Sequence, residues 1–99
     1  MGFVKCFNEV KTASLSLSST AQKLATPWTL SNSRDGGRTA VEVNNVEGDE
    51  NAYVGDEDVT TSTGICVKAG ESRVFPVQPG SSDYLYVVGS GSIIVADYY

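Results

Sequence analysis

The residues able to do chemistry crowd into one stretch, GDEDVTTSTGICVKAGES at 55–72, which carries Asp56, Glu57, Asp58 and Glu71, a run of hydroxyl side chains, and Cys66. A second acidic run, Glu47, Asp49 and Glu50, lies just upstream. Paired carboxylates could serve glycoside hydrolysis, and a loop of oxygen ligands could hold calcium. Neither pattern is complete. In DENAYVGDED, residues 49–58, Tyr53 and Val54 stand where an EF-hand loop needs oxygen ligands and its turn glycine. The chain contains no histidine, which removes Ser-His-Asp and Cys-His nucleophiles and most zinc chemistry. The glycine-rich GSGSI at 89–93 and DGG at 35–37 lack the following helix and Lys-Ser/Thr pair of a phosphate loop. The expectation is a protein that is not an enzyme and has no cofactor. Its acids are read as solvated turns, with a weak calcium site in 47–58 as the alternative.

Charge narrows the partners. The net charge is −5, yet residues 1–46 carry five basic against three acidic residues, whereas residues 47–99 carry two against nine. No cluster of Lys and Arg exists to neutralise phosphates, so neither nucleic acid nor an anionic membrane is an expected partner. No N-terminal run has the apolar length of a signal peptide or a span, which points to synthesis in a cytoplasm. Cys6 and Cys66 are the only cysteines. In that compartment they are expected to be reduced and buried as small apolar groups, a disulfide between them being the alternative.

The elements that must position these residues read as short strands. In TASLSLSST, residues 12–20, Ala13, Leu15 and Leu17 alternate with serines, the pattern of a half-buried strand. RTAVEVNNV, residues 38–46, places Thr39, Val41 and Val43 on one face and Glu42 and Asn44 on the other. Residues 21–37 read as a connection ending in an Asp-Gly-Gly turn. Tyr53 and Val54 begin another strand; Val59 to Thr63 form a strand or crossing segment; Ile65 and Val67 point inward with Cys66 opposite. RVFPVQP, residues 73–79, is a strand that Pro76 confines to a sheet edge or a bulge. DYLYVVGSGSIIVADYY, residues 83–99, reads as a β-hairpin. Together they predict one all-β domain over 1–99, an antiparallel β-sandwich (jelly-roll-like) or small barrel of about six to eight short strands. Residues 1–11 form either an N-terminal arm or the first strand.

From residue 38 onward the order TAVEVNNV, AYVG, VTTSTGICVKAGES and DYLYVVGSGSIIVADY resembles a small β-module of tailed-bacteriophage virion proteins. In such modules the segment from Val59 through Ser72 supplies a strand end and a turn, and Leu85 to Gly91 opens a closing hairpin. The resemblance implies a structural virion protein, a capsid decoration or cement protein that binds the major capsid protein on the head surface and stabilises it. The alternative is a head-fibre, neck or tail component, with Tyr53, Tyr84 and Tyr86 available to stack on host glycans. The three-fold junctions of capsid lattices make a homo-oligomer, and specifically a trimer, the expected assembly.

Six residues are the interface candidates. Phe3, Val4 and Phe7 form the apolar part of the N-terminal arm. Trp28, the sole tryptophan, follows Pro27 in a connection and is either an interface anchor or a core residue. Tyr98 and Tyr99 place two aromatic rings at the end of the sequence, where a neighbouring chain would cover them.

Overall fold

The computed structural model describes residues 9–32, 37–77 and 84–99. Phe3, Val4, Phe7 and Cys6, and with them most of the proposed arm, lie outside the described residues. Eight strands form two four-stranded antiparallel sheets: β1 (Val10–Ser16), β2 (Gln22–Lys23), β3 (Ala40–Asn44), β4 (Ala52–Gly55), β5 (Ile65–Val67), β6 (Ser72–Pro76), β7 (Tyr86–Gly89) and β8 (Ser92–Tyr98). One sheet has the order β1-β8-β3-β6 and the other β2-β7-β4-β5. Strand pairs β1 with β8, β2 with β7, β3 with β6 and β4 with β5 are those of one long hairpin closed at β4 and β5. Rolling that hairpin adds the pairs β3 with β8 and β4 with β7. The result is the double-sheet jelly roll among the expected architectures.

Alternation in the sequence explains which faces meet. Val41 and Val43 of β3 and Ile93 and Val95 of β8 point inward from one sheet, and Ala52, Val54, Val67 and Val87 meet them from the other, with Leu24 between. Leu15, Leu17, Phe75, Val77 and Leu85 pack around this cluster. Pro76 sits on β6, an edge strand, where its missing N–H costs no ladder bond.

Five local expectations are corrected. The run 83–99 is not a hairpin: β7 belongs to one sheet and β8 to the other. Gly89 N–H donates to Ser18 carbonyl oxygen at 3.0 Å, and Leu17 N–H to that of Gly91 at 2.8 Å. The two-stranded ribbon of β1–β2 against β7–β8 therefore bends as a unit from sheet to sheet, and the glycines mark that corner rather than a chain reversal. Residues 59–63 form a hydrogen-bonded turn, not a strand, because Thr60 and Thr63 bond each other through backbone and hydroxyl groups. Val59 is buried under this turn, and Gly64 lets it lie on β4, since a Cβ there would approach that of Tyr53 to 2.7 Å. Ile65 is 48% exposed although Val67 is buried, because it opens the outermost strand with a neighbour on one side only. Cys66 is a free thiol and is half-buried rather than buried. Finally, the connection 21–37 contains β2 and a short helix, α1 (Pro27–Asn32).

Gly89 combines a positive φ with close backbone neighbours. Its φ is +154°, and an added Cβ would meet the Asn51 carbonyl oxygen at 2.9 Å and Leu17 Cδ1 at 3.2 Å. Gly37, with φ +101°, has nothing within 4 Å. Gly89→Ala should lower the free energy of urea unfolding by about 2–3 kcal/mol, and Gly37→Ala by about 1 kcal/mol, because only the first adds a backbone collision to the dihedral strain.

Candidate interaction site

The sequence TPWT at 26–29 builds the site locally. Thr26 caps α1: Thr29 N–H donates to its Oγ1 at 3.3 Å, and Leu30 N–H to its carbonyl oxygen at 3.1 Å. Pro27 occupies the first helical position, where an N–H would have no helical acceptor. A six-residue helix cannot hold itself in water, so tertiary bonds must fix it.

Asp97 supplies them. Its side chain is fully buried on β8, and Oδ2 accepts from Thr26 N–H at 2.8 Å, Thr26 Oγ1 at 2.9 Å and Thr29 Oγ1 at 2.6 Å. Oδ1 accepts from Arg38 Nη1 at 3.1 Å, and the guanidinium is as buried as the carboxylate. The same Nη1 reaches the Leu24 carbonyl oxygen at 3.2 Å. Tyr84 lies beside this pair, its ring centre 5.2 Å from the Arg38 guanidinium carbon and 4.7 Å from Lys23 Nζ. That ring is therefore engaged by two cations of its own chain rather than presented bare to a glycan.

Trp28 emerges from this base. It is 40% exposed, which excludes the core alternative, and neighbouring Leu30 is 42% exposed. The edge of one ring meets the face of the other where Trp28 packs on Tyr99, with centroids 5.1 Å apart, and Lys11 Nζ lies 4.9 Å from the Trp28 ring centre. Tyr99 hydroxyl bonds Thr29 Oγ1, and Tyr99 and Glu9 exchange two backbone hydrogen bonds. The structure thus joins two of the interface candidates, Trp28 and Tyr99, in one patch. Tyr98 turns to the outer face of its sheet, where its hydroxyl donates to Glu42 Oε1 at 2.6 Å. That hydrogen bond, then burial, then the carboxylate's charge, hold the Tyr98 phenol above its ordinary value of 10.0.

Sequence reasoning did not single out Thr26, Thr29, Arg38 or Asp97. Their signals were present: a Thr-Pro helix start at 26–27, and one acid interrupting the apolar run IIVADYY. The upstream acids sit elsewhere. Asp49, Glu50, Asn51, Tyr53 and Thr61 line an open polar cleft of about 530 Å³. No group of three or more metal-ligating side chains placed to hold an ion occurs among the described residues.

Two outcomes follow from these bonds. Asp97→Ala strands a buried guanidinium and should cost about 3–5 kcal/mol in urea unfolding, whereas Thr26→Ala, which removes a cap, should cost about 1 kcal/mol. The phenol of Tyr98 keeps its proton in the fold where the unfolded chain loses it, so above pH 10 the unfolded state binds fewer protons. Its contribution is complete below pH 10 and declines as pH rises through the folded-state value. Ultraviolet titration should show the raised Tyr98 phenol returning toward 10.0 in Glu42→Gln.

No protein-family model matches the chain, and no curated protein sequence does. Among solved structures, a chain of the Bacillus endospore appendages, a family of disulfide-linked pili, is similar at 15% identity, covering 100% of this chain and 97% of that one with a TM-score of 0.44.

Proposed function

We propose that this chain is a structural virion protein that decorates a phage head, docking on the major capsid protein through the patch centred on Trp28. One observation carries the reading: a large aromatic side chain is held 40% exposed on a helix that a fully buried carboxylate fixes in place. The exposed part of a side chain gains nothing for folding, whereas a preordered tryptophan is the kind of anchor that dominates interface energetics. Tyr99 orients the ring and Lys11 flanks it, so the side chain loses little rotamer freedom on docking. The likeness of residues 38–72 to the virion module supplies the partner class. The closing hairpin implied for 83–99 does not contribute, since its strands lie in different sheets.

Cementing a shell requires many modest contacts acting together rather than one strong one, which suits a small protein with a single aromatic anchor. Trp28→Ala should cost about 1 kcal/mol in urea unfolding through the lost Tyr99 contact, leave the protein folded, and weaken binding to undecorated heads by at least about 30-fold, the loss expected of a hot-spot residue worth about 2 kcal/mol. Quantitative gel analysis of purified particles should give hundreds of copies per virion. A dozen or fewer would move the protein to the neck, tail or fibre, and unaltered head binding by Trp28→Ala would refute the docking patch.

A further inference from the structure

The two sheets present four edge strands, and three of them are poor templates for pairing. β2 has two residues, β5 has three, and β6 carries Pro76. Short strands and proline are the devices that keep sheet edges from recruiting another chain. β1 has none of these protections: it runs seven residues, VKTASLS, without proline or glycine. Its one charge, Lys11, leans toward the Trp28 ring and bonds Glu9 at 3.3 Å.

The hydrogen-bond phase of this strand is fixed. Glu9 and Tyr99 exchange both backbone bonds, so in the antiparallel ladder Lys11, Ala13 and Leu15 also face β8. Val10, Thr12, Ser14 and Ser16 then turn their backbone groups to the open edge. Gln22 Nε2 takes the Ser16 carbonyl oxygen at 2.7 Å. No other strand pairs with β1 among the described residues. An apolar groove of about 310 Å³ runs beside this edge, between Ala13, Ser14 and Leu15 on one side and Pro27 and Leu30 on the other.

We propose that β1 pairs with β1 of a second copy, antiparallel about a two-fold axis through Thr12, so that two four-stranded sheets become one of eight. The edge is self-complementary in that register. Thr12 faces its own counterpart, and Val10 faces Ser14 twice, which gives about six backbone hydrogen bonds with no like charges opposed. The axis also brings the two exposed Leu30 side chains to the same side, where they shield the groove. An edge-to-edge contact between two single strands falls below the roughly 800 Å² per partner of a standard interface, so the pair belongs with weak, concentration-dependent associations. A closed two-fold contact replaces the three-fold oligomer expected of a decoration protein. The inference stands on the open edge of β1 and goes beyond the decoration reading, to which it adds that one dimer presents two Trp28 patches.

The test uses purified full-length protein. Sedimentation velocity should show a concentration-dependent two-copy species, and Thr12→Pro, which removes one outward N–H while leaving the β8 ladder intact, should weaken self-association at least tenfold. In a background of Cys6→Ser and Cys66→Ser, a two-carbon bismaleimide should cross-link Thr12→Cys efficiently. It should fail with Ser16→Cys, whose counterpart would lie about 27 Å away at ~3.4 Å per residue. A monomer at every concentration, a trimer, or equal cross-linking at 12 and 16 would overturn the pairing. A dimer that ignores capsids would refute the decoration reading alone, and a monomer that binds them would refute this inference alone.

Discussion

The buried pair of Asp97 and Arg38 is the interaction on which the remaining geometry depends. Removing a carboxylate and a guanidinium from water costs several kcal/mol per ion, so such a pair persists only when further hydrogen bonds complete it. Here Oδ2 of Asp97 takes three donors from Thr26 and Thr29 while Oδ1 takes Arg38, whose Nη1 also serves the Leu24 carbonyl oxygen. Five segments therefore meet at one carboxylate or its partner: β8, the approach to β3, the segment after β2, the helix cap, and α1. An apolar residue at 97 would deprive Thr26 N–H and the Thr26 and Thr29 hydroxyls of their shared carboxylate and leave Arg38 Nη1 with the Leu24 carbonyl oxygen alone.

The same network explains how a protein of this size can present a tryptophan without losing order. α1 is too short to form alone, and its exposed side chains contribute nothing to a core. The bonds from Thr26 and Thr29 to a strand in the centre of its sheet compensate, because β8 pairs along its length with both β1 and β3. Tyr99 extends that rigidity outward: its backbone is locked to Glu9, its hydroxyl to Thr29, and its ring to Trp28. Exposure at Trp28 is thus a consequence of burial at Asp97.

How far the sequence exposes this arrangement depends on the range of the interaction concerned. Alternation in β1 and β3 and the placement of Pro76 on an edge are properties of a strand and its two faces, and they were readable as such. The corner at 89–92 was not, because a Gly-Ser-Gly-Ser link between two β-runs has the same local chemistry in a hairpin as in a ribbon that bends. What separates the cases is the bonding of Gly89 and Gly91 to Ser18 and Leu17, more than seventy positions away in sequence. Trp28 and Tyr99 stood out by type alone. Their adjacency did not, since it passes through Asp97, which as a lone acid near a tyrosine pair reads like a solvated residue. The hydroxyl-rich segment at 60–63 misled for the opposite reason: its Thr residues favour strands on average, yet their side chains bond their own backbone and close a turn.

Charge, uneven along the chain, is also uneven in space. β3 runs from Ala40 to Asn44, with Val41 opposite Asp97, so the acidic turn at 47–50 that follows Asn44 lies at the far end of the sheet from the Trp28 patch. Lys11 and Lys23 lie on the strands β1 and β2 that border α1, and the buried Arg38 charge is already matched by Asp97. The patch is consequently apolar, bordered by the Lys11–Glu9 ion pair and by Lys23, and the acidic turn at 47–50 sits away from it. Under the proposed docking through Trp28, the acidic turn would stay clear of the contact, so its charge would bear on which end of the protein meets a partner more than on the contact itself.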